Sequence, residues 1–368
     1  MVLCGAITIY KYTQNNYYVK NNCIFGGYSM YINQLFELSM TLDNERFKKV
    51  FKRKHKKSIY TKKDEEEYID EFMTSKGITV IYRDSQYKKK VKLIIDLRFV
   101  SDSRSSDKLI RKLDKCINEY FDFQYKIDDF TLSGVTFTAN IDVDSRENVL
   151  AYLKVLKRIG KVKGFSQSEY DCFENIDSFC MEGNSNDIRF WIYDLEGFIR
   201  NQLVDKDITK KKMRSMFKES EGILRTEVRL IKPKAVRCYT GTDDVSGQIV
   251  ELVEKSSEIF LDVFTHIIPY GDYYKKNRAV EIVRDKVRDS VLRRRMLRLL
   301  ALIPEKKSLY LAQKAMNCRN IEKVMEEFAK INVSPVSISK RHDLKYLENL
   351  YSYILNDNKS YHEEEHHE

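Results

Sequence analysis

Between residues 77 and 235 the apolar positions switch repeatedly between two periods. In Gly77–Tyr82, Val91–Val100 and Phe130–Val143 they recur close to every second residue, the last run through Leu132, Val135, Phe137, Ala139, Ile141 and Val143. Period two marks a strand with one buried face. Over Ser106–Tyr120, Leu109, Ile110, Leu113, Ile117 and Tyr120 fall instead at helical spacing. A further helix is expected to open at Asp144-Ser145-Arg146-Glu147, with Ser145 as its N-cap, and to close at Gly160. Two charged-and-apolar strands follow, Glu182–Asp194 and Gly222–Lys234, separated by a charged helix around Asp207–Glu219. The order repeats a β–β–α-like unit. It predicts an α+β fold, an antiparallel sheet with helices on one face.

The flanks differ. Residues 1–40 suggest short strands and turns, with a turn at Gly26-Gly27. Residues 41–73 carry a lysine-rich run and then Asp64-Glu65-Glu66-Glu67, which predicts an exposed helix or an insertion. After Lys234 the pattern becomes helical over 245–360, broken at Pro269-Tyr270-Gly271, Pro304 and Ser334-Pro335. This places a boundary near 240 and divides the chain into 1–75, a 76–240 core and a basic helical 241–368. Lys275–Leu302 is expected as one helix, with Val280, Val283, Val287 and Val291 on its apolar face. Its other face holds Arg284, Lys286, Arg288, Arg293, Arg294, Arg295 and Arg298, and guanidiniums grip phosphate oxygens in pairs. Ser308–Met316 and Ile321–Ile331 suggest a helical hairpin, which in a minority of cases reads DNA. The tail His362–Glu368 is expected to be a polar terminus.

Composition narrows the class. In 368 residues no apolar run approaches the ~18–20 residues of a spanning helix, and Met1–Tyr10 lacks a basic leader, so a cytoplasmic protein is expected. The seven cysteines are widely spaced with no C-x-x-C pair, which disfavours zinc ribbons and disulfide frameworks. A net charge of +10 favours a polyanionic partner, and 24 tyrosines supply rings of the kind on which unpaired bases stack.

The strand Gly222–Lys234 carries the sharpest chemistry. Arg225, Glu227 and Arg229 share one face, opposite Val228 and Leu230. A carboxylate between two guanidiniums suits a metal or a phosphate, or forms an exposed ion-pair ladder worth about 0–1 kcal/mol.

Three segments, Phe130–Val143, Arg189-Phe190-Trp191-Ile192-Tyr193-Asp194 and Ile223-Leu224-Arg225-Thr226-Glu227-Val228-Arg229-Leu230, occur in the order and at the spacing of one group. Over about residues 75–235 the chain resembles the rolling-circle replication initiators of the filamentous-phage gene II type, which look in turn like the plasmid and transposon initiators of Gram-positive bacteria. The resemblance implies a protein that binds an origin, as single-stranded or hairpin DNA, and nicks one strand. A tyrosine attacks the phosphodiester, with a divalent metal, Mg2+ or Mn2+, polarising the phosphate. It implies Glu227 as a metal ligand, with Asp142 or Asp194 as a second, and Arg189, Arg225 and Arg229 on phosphate. Tyr193, Tyr170 and Tyr239 are alternative nucleophiles. The chain departs from the pattern in three places: it has no His-x-His pair, it has Ser133-Gly134-Val135-Thr136 where an Arg-x-Asp is usual, and Leu195 follows Tyr193-Asp194 where a lysine is usual. A non-nicking DNA-binding protein on the same scaffold, and a basic scaffold for RNA or a protein partner, are the rival expectations.

Overall fold

The computed structural model describes residues 32–51, 56–62, 65–100, 106–203 and 209–355. The expected turns before residue 31 and the histidine-rich tail lie outside the described residues. Ten strands form one sheet: β1 Asn33–Leu42, β2 Lys56–Lys62, β3 Glu65–Asp70, β4 Ile78–Ser85, β5 Lys89–Asp96, β6 Thr131–Asp142, β7 Phe165–Gln167, β8 Ser178–Gly183, β9 Ile188–Asp194 and β10 Ile223–Leu230. Their order is β2-β3-β4-β5-β1-β6-β10-β9-β8-β7, and every neighbouring pair is antiparallel.

The path through this sheet is traced twice. β1 lies at the centre; the chain passes through the helix Asn44–Phe51 to the edge and returns strand by strand until β5 flanks β1. β6 then starts again beside β1, passes through the helix Arg146–Leu156 to the opposite edge, and returns until β10 flanks β6. The repeated unit is a strand, a helix and a four-stranded return, larger than the β–β–α unit expected. The α+β class and the antiparallel sheet agree with the sequence pattern. So does the cap of Arg146–Leu156, where the Ser145 hydroxyl accepts from the Asn148 amide at 3.3 Å.

One face of the sheet carries the main core. Phe36, Leu93, Phe137, Phe190, Leu224 and Val228 pack there with residues of the helices Ser106–Tyr120, Arg146–Leu156, Val245–Glu254 and Ser256–Ile267. The same apolar cluster continues to Leu299, Phe328 and Ile354, so the C-terminal helices share it. The helices were expected on one face, and two do not conform. Leu195–Leu203 and Lys210–Ser220 cover the other face of β8, β9 and β10, where Phe198, Ile199 and Met216 meet Cys180, Trp191 and Tyr193. The aromatic residues at alternate positions of β9 make this second layer possible, since they present large apolar surface on the face that also holds charges.

Four local expectations are corrected. Glu182–Asp194 is a hairpin, because Asn186 takes a positive φ of 52° and its amide closes on the Gly183 carbonyl at 2.8 Å. β10 stops at Leu230, and Pro233 starts a helix, Pro233–Tyr239, in whose first turn a proline loses no hydrogen bond. The acidic run Glu65–Glu67 is part of β3, where Arg83 of β4 pairs with Glu65 at 2.9 Å and also with Glu67. Lys275–Leu302 is two helices, Lys276–Lys286 and Ser290–Lys306; Asp289 caps the second by accepting from Val291 and Leu292 amides at 2.8 and 2.9 Å. The second helix runs through Pro304, which sits in its last turn, and ends at Lys307 with φ 57°.

Gly222 decides where β10 starts. Its φ is +73°, and a Cβ there would lie 2.8 Å from the Asp144 carbonyl carbon and 2.9 Å from the Ser145 nitrogen. Its own carbonyl accepts from the Val143 amide at 3.0 Å, which ties the entry of β10 to the end of β6. Gly222→Ala meets both a left-handed backbone and a backbone collision. An unfolding free energy lower by about 2 kcal/mol is expected in urea titration, with the midpoint moved and the slope unchanged.

Candidate functional site

Antiparallel register makes directly opposed residues share a face. Arg225, Glu227 and Arg229 of β10 stand opposite Asn140, Thr138 and Thr136 of β6, and opposite Tyr193, Trp191 and Arg189 of β9. The sequence pattern therefore placed the three charges correctly on one face. It did not show that this face is covered. Arg225, Glu227 and Arg229 are 4%, 0% and 8% exposed. The exposed-ladder expectation gives way to a buried polar cluster beneath the two helices of the second layer.

Each charge has defined partners. Tyr193 donates its hydroxyl to Glu227 Oε1 at 2.7 Å. Arg225 Nε donates to Asn140 Oδ1 at 2.8 Å. Arg229 Nε donates to Thr136 Oγ1 at 3.2 Å, and its guanidinium lies 4.5 Å from the Trp191 ring centre. Arg189 is bonded to Glu182 at 3.0 Å and lies 5.1 Å from the Tyr170 ring centre.

From Arg229 the polar ribbon continues into the first half of the sheet, a stretch the sequence reading missed. Glu37 of β1 lies 3.8 Å from Arg229 and 2.6 Å from Lys92 of β5. Lys90, two residues along, faces Arg83 of β4 across the pair. The signal was present as Lys90, Lys92 and Ile94 on alternate positions, hidden in a run of four lysines and one valine, Lys88–Lys92. Burial pulls the Lys90 ammonium below its usual value, and Lys92, Arg83 and Lys88 add to this.

Burial works to raise the Glu37 carboxyl, but Lys92, Arg229 and Lys90 together outweigh it and hold it below the ordinary value of 4.5. A depressed carboxylate stabilises the fold above its unfolded pKa, and that contribution disappears as pH falls through the folded pKa. Glu37→Gln is therefore expected to lose less stability than the wild type as pH drops below 4.5. Urea titrations across that interval check it, and parallel pH profiles would refute it.

The expected metal ligands are not brought together. Asp194 pairs in register with Leu224, so its side chain leaves the sheet on the face opposite Glu227. There Arg146 donates to it at 3.1 Å, and Glu196 lies 3.9 Å from the same guanidinium. Asp142 shares the face of Glu227 but opposes Ile223, four residues along the strand, about 13 Å at the usual strand rise. Its Oδ1 accepts from the Asp144 amide at 2.9 Å. Among the described residues no group of three or more His, Cys, Asp or Glu side chains is placed to hold a metal ion. Glu227, Asp194 and Asp142, as the structure places them, do not converge on one point.

The expected nucleophiles stand apart as well. Tyr193 is 0% exposed, its ring between Phe173 and Phe198. Tyr170 is buried against Trp191 with ring centres 5.0 Å apart, and burial raises its hydroxyl above the ordinary range despite the opposing pull of Arg189. Tyr239 is half-buried at the end of Pro233–Tyr239 and donates to Asp262 at 3.2 Å; burial and the Asp262 charge both raise it.

The arginines of the helical half are different. Arg284, Arg288, Arg294 and Arg298 are exposed, Arg295 half-buried, and none of the five has a carboxylate partner within 4.0 Å among the described residues. Arg294 and Arg298 are one turn apart on Ser290–Lys306, and Arg295 lies three residues before Arg298, so these three crowd one face.

No protein-family model matches the chain, and no curated protein matches it in sequence. Two solved structures are weakly similar. A rolling-circle replication initiator protein from Geobacillus stearothermophilus aligns at 12% identity over 66% of this chain and 86% of its own, with a TM-score of 0.31. The di-domain ARO/CYC StfQ from the steffimycin biosynthetic pathway aligns at 12% identity over 61% and 93%, with a TM-score of 0.18. Likenesses this weak say nothing of what this chain does. Among the described residues no helix is long and apolar enough to cross a membrane.

Proposed function

We propose that the protein is a DNA-binding protein of the replication-initiator type that grips phosphates with arginines of Lys276–Lys286, of Ser290–Lys306 and of the turn between them, and that the charged cluster of β9 and β10 holds the sheet together. The observation that carries this is that Arg284, Arg288, Arg294, Arg295 and Arg298 have no carboxylate within 4.0 Å among the described residues. Like charges one turn apart repel each other by a few tenths of a kcal/mol per pair. A row of phosphates removes that repulsion and releases the counterions the DNA had condensed. The initiator type rests on the resemblance of Phe130–Val143, Arg189–Asp194 and Ile223–Leu230 to such proteins. The expected ligand is single-stranded or hairpin DNA at an origin.

A second reading, nicking through a phosphotyrosine, is favoured by one observation: Tyr193 donates directly to a carboxylate at 2.7 Å, the contact an activated nucleophile needs. It requires Leu195–Leu203 and Lys210–Ser220 to lift from the sheet. One experiment separates the two. Labelled single-stranded, hairpin and duplex DNA are incubated with the protein and Mn2+, then run on native and denaturing gels. Retardation on the native gel with no covalent adduct on the denaturing gel is expected. An adduct lost in Tyr193→Phe would establish the second reading, and no retardation with any DNA would overturn both.

A further inference from the structure

Away from the sheet, an open cleft of about 660 Å³ lies between a small ribbon, Tyr273–Tyr274 paired with Tyr346–Leu347, and the first turn of Lys276–Lys286. This volume is within the range of small-ligand sites. Two features of its lining point the same way. Among the described residues Lys275, Lys276, Lys340 and Lys345 have no carboxylate within 4.0 Å, and Glu281, the carboxylate in the lining, is taken by Arg278 at 3.0 Å. Tyr274 and Tyr346 are cross-strand partners with ring centres 5.3 Å apart, and Tyr346 is 45% exposed. We infer that this cleft takes a short segment of single-stranded DNA, stacking a base on Tyr346 and holding the flanking phosphates on the four lysines.

The platform is built to be rigid. Asp272, nearly buried, accepts from the Tyr274 hydroxyl at 3.2 Å, the Asn332 amide side chain at 2.9 Å and the Asn349 backbone at 2.9 Å. The Ile338 amide donates to the Tyr274 carbonyl at 2.9 Å. Gly271, φ 121°, lets this strand pass so close to Val333 that a Cβ would lie 2.4 Å from its carbonyl carbon. A ring held in place loses little freedom when a base stacks on it. Aromatic faces accept any base, while the lysines follow the backbone, which is how strands are bound without regard to sequence. A base within a duplex is already stacked on both sides, so the cleft selects unpaired DNA.

This inference rests on the DNA-binding role proposed above. Its test is fluorescence anisotropy with a labelled oligothymidine, together with photocrosslinking of the same oligomer carrying 5-iodouracil. Tyr346→Ala is expected to bind about tenfold more weakly, in line with the loss of one base stack. Tyr346→Phe is expected to bind as the wild type does, and the crosslink to fall on Tyr346. Lys340→Glu with Lys345→Glu, both at exposed positions, is expected to weaken binding without changing the melting temperature. If the wild type binds and loss of Arg294, Arg295 and Arg298 weakens it, but Tyr346→Ala and the lysine pair bind like wild type, the cleft is overturned and the DNA-binding role stands. If the wild type binds no single-stranded DNA, both are overturned.

Discussion

Glu227→Ala is expected to lower the free energy of unfolding by about 3–5 kcal/mol, enough to unfold many domains of this kind. Glu227 is 0% exposed and lies between Arg225 and Arg229 on the covered face of β10. Taking the carboxylate away leaves two nearly buried guanidiniums without the central negative charge, and the Tyr193 hydroxyl without its acceptor. The cost is mainly that of the charges left behind rather than of the bonds removed. Tyr193→Phe removes only the hydrogen bond, so a smaller loss of about 1–3 kcal/mol is expected. Urea unfolding followed by the fluorescence of Trp191, which packs in the same cluster, reads both. A Glu227→Ala protein as stable as wild type would mean that the cluster does not hold the sheet.

Replacing Arg294, Arg295 and Arg298 together with glutamine is expected to weaken DNA binding about 100-fold at about 0.15 M salt. Each phosphate neutralised on duplex DNA changes log K by about 0.9 per decade of salt, which at that concentration is about fivefold per arginine and about 100-fold for three. Glutamine keeps helix propensity close to that of arginine, so the helix should persist. Circular dichroism and a melting curve check that it does. Sequence preference is expected to be unchanged, because phosphate contacts position a protein on DNA without reading its bases.

How much of this was legible in the residues depended on what decided each feature. The strands β4, β6 and β10 could be read because one of their faces is apolar and the alternation is local. β3 could not: Glu65, Glu66 and Glu67 resemble a solvated run, and only the arrival of Arg83 on the neighbouring strand makes them compatible with a sheet. The break at Asp289 was written as an N-cap residue before Ser290, but the valine spacing on either side masked it. At the charged face, the shared side of Arg225, Glu227 and Arg229 followed from period two. Its burial did not, because it depends on Phe198, Ile199 and Met216 arriving from later segments. The same logic separated Asp194 from Glu227: strand parity puts them on opposite faces only once the register of β9 against β10 is known. The exposed arginines were legible as a basic helix face. That no carboxylate lies within 4.0 Å of them among the described residues is a property of the folded chain alone.

The salt dependence of DNA affinity, compared between the wild type and the Arg294, Arg295 and Arg298 triple variant from 50 to 200 mM salt, bears most directly on how this protein works. On duplex DNA, a plot of log K against log salt is expected to be steep for the wild type and shallower by about three in the variant, one per arginine. Parallel lines for the two proteins, or a wild-type affinity indifferent to salt, would contradict it.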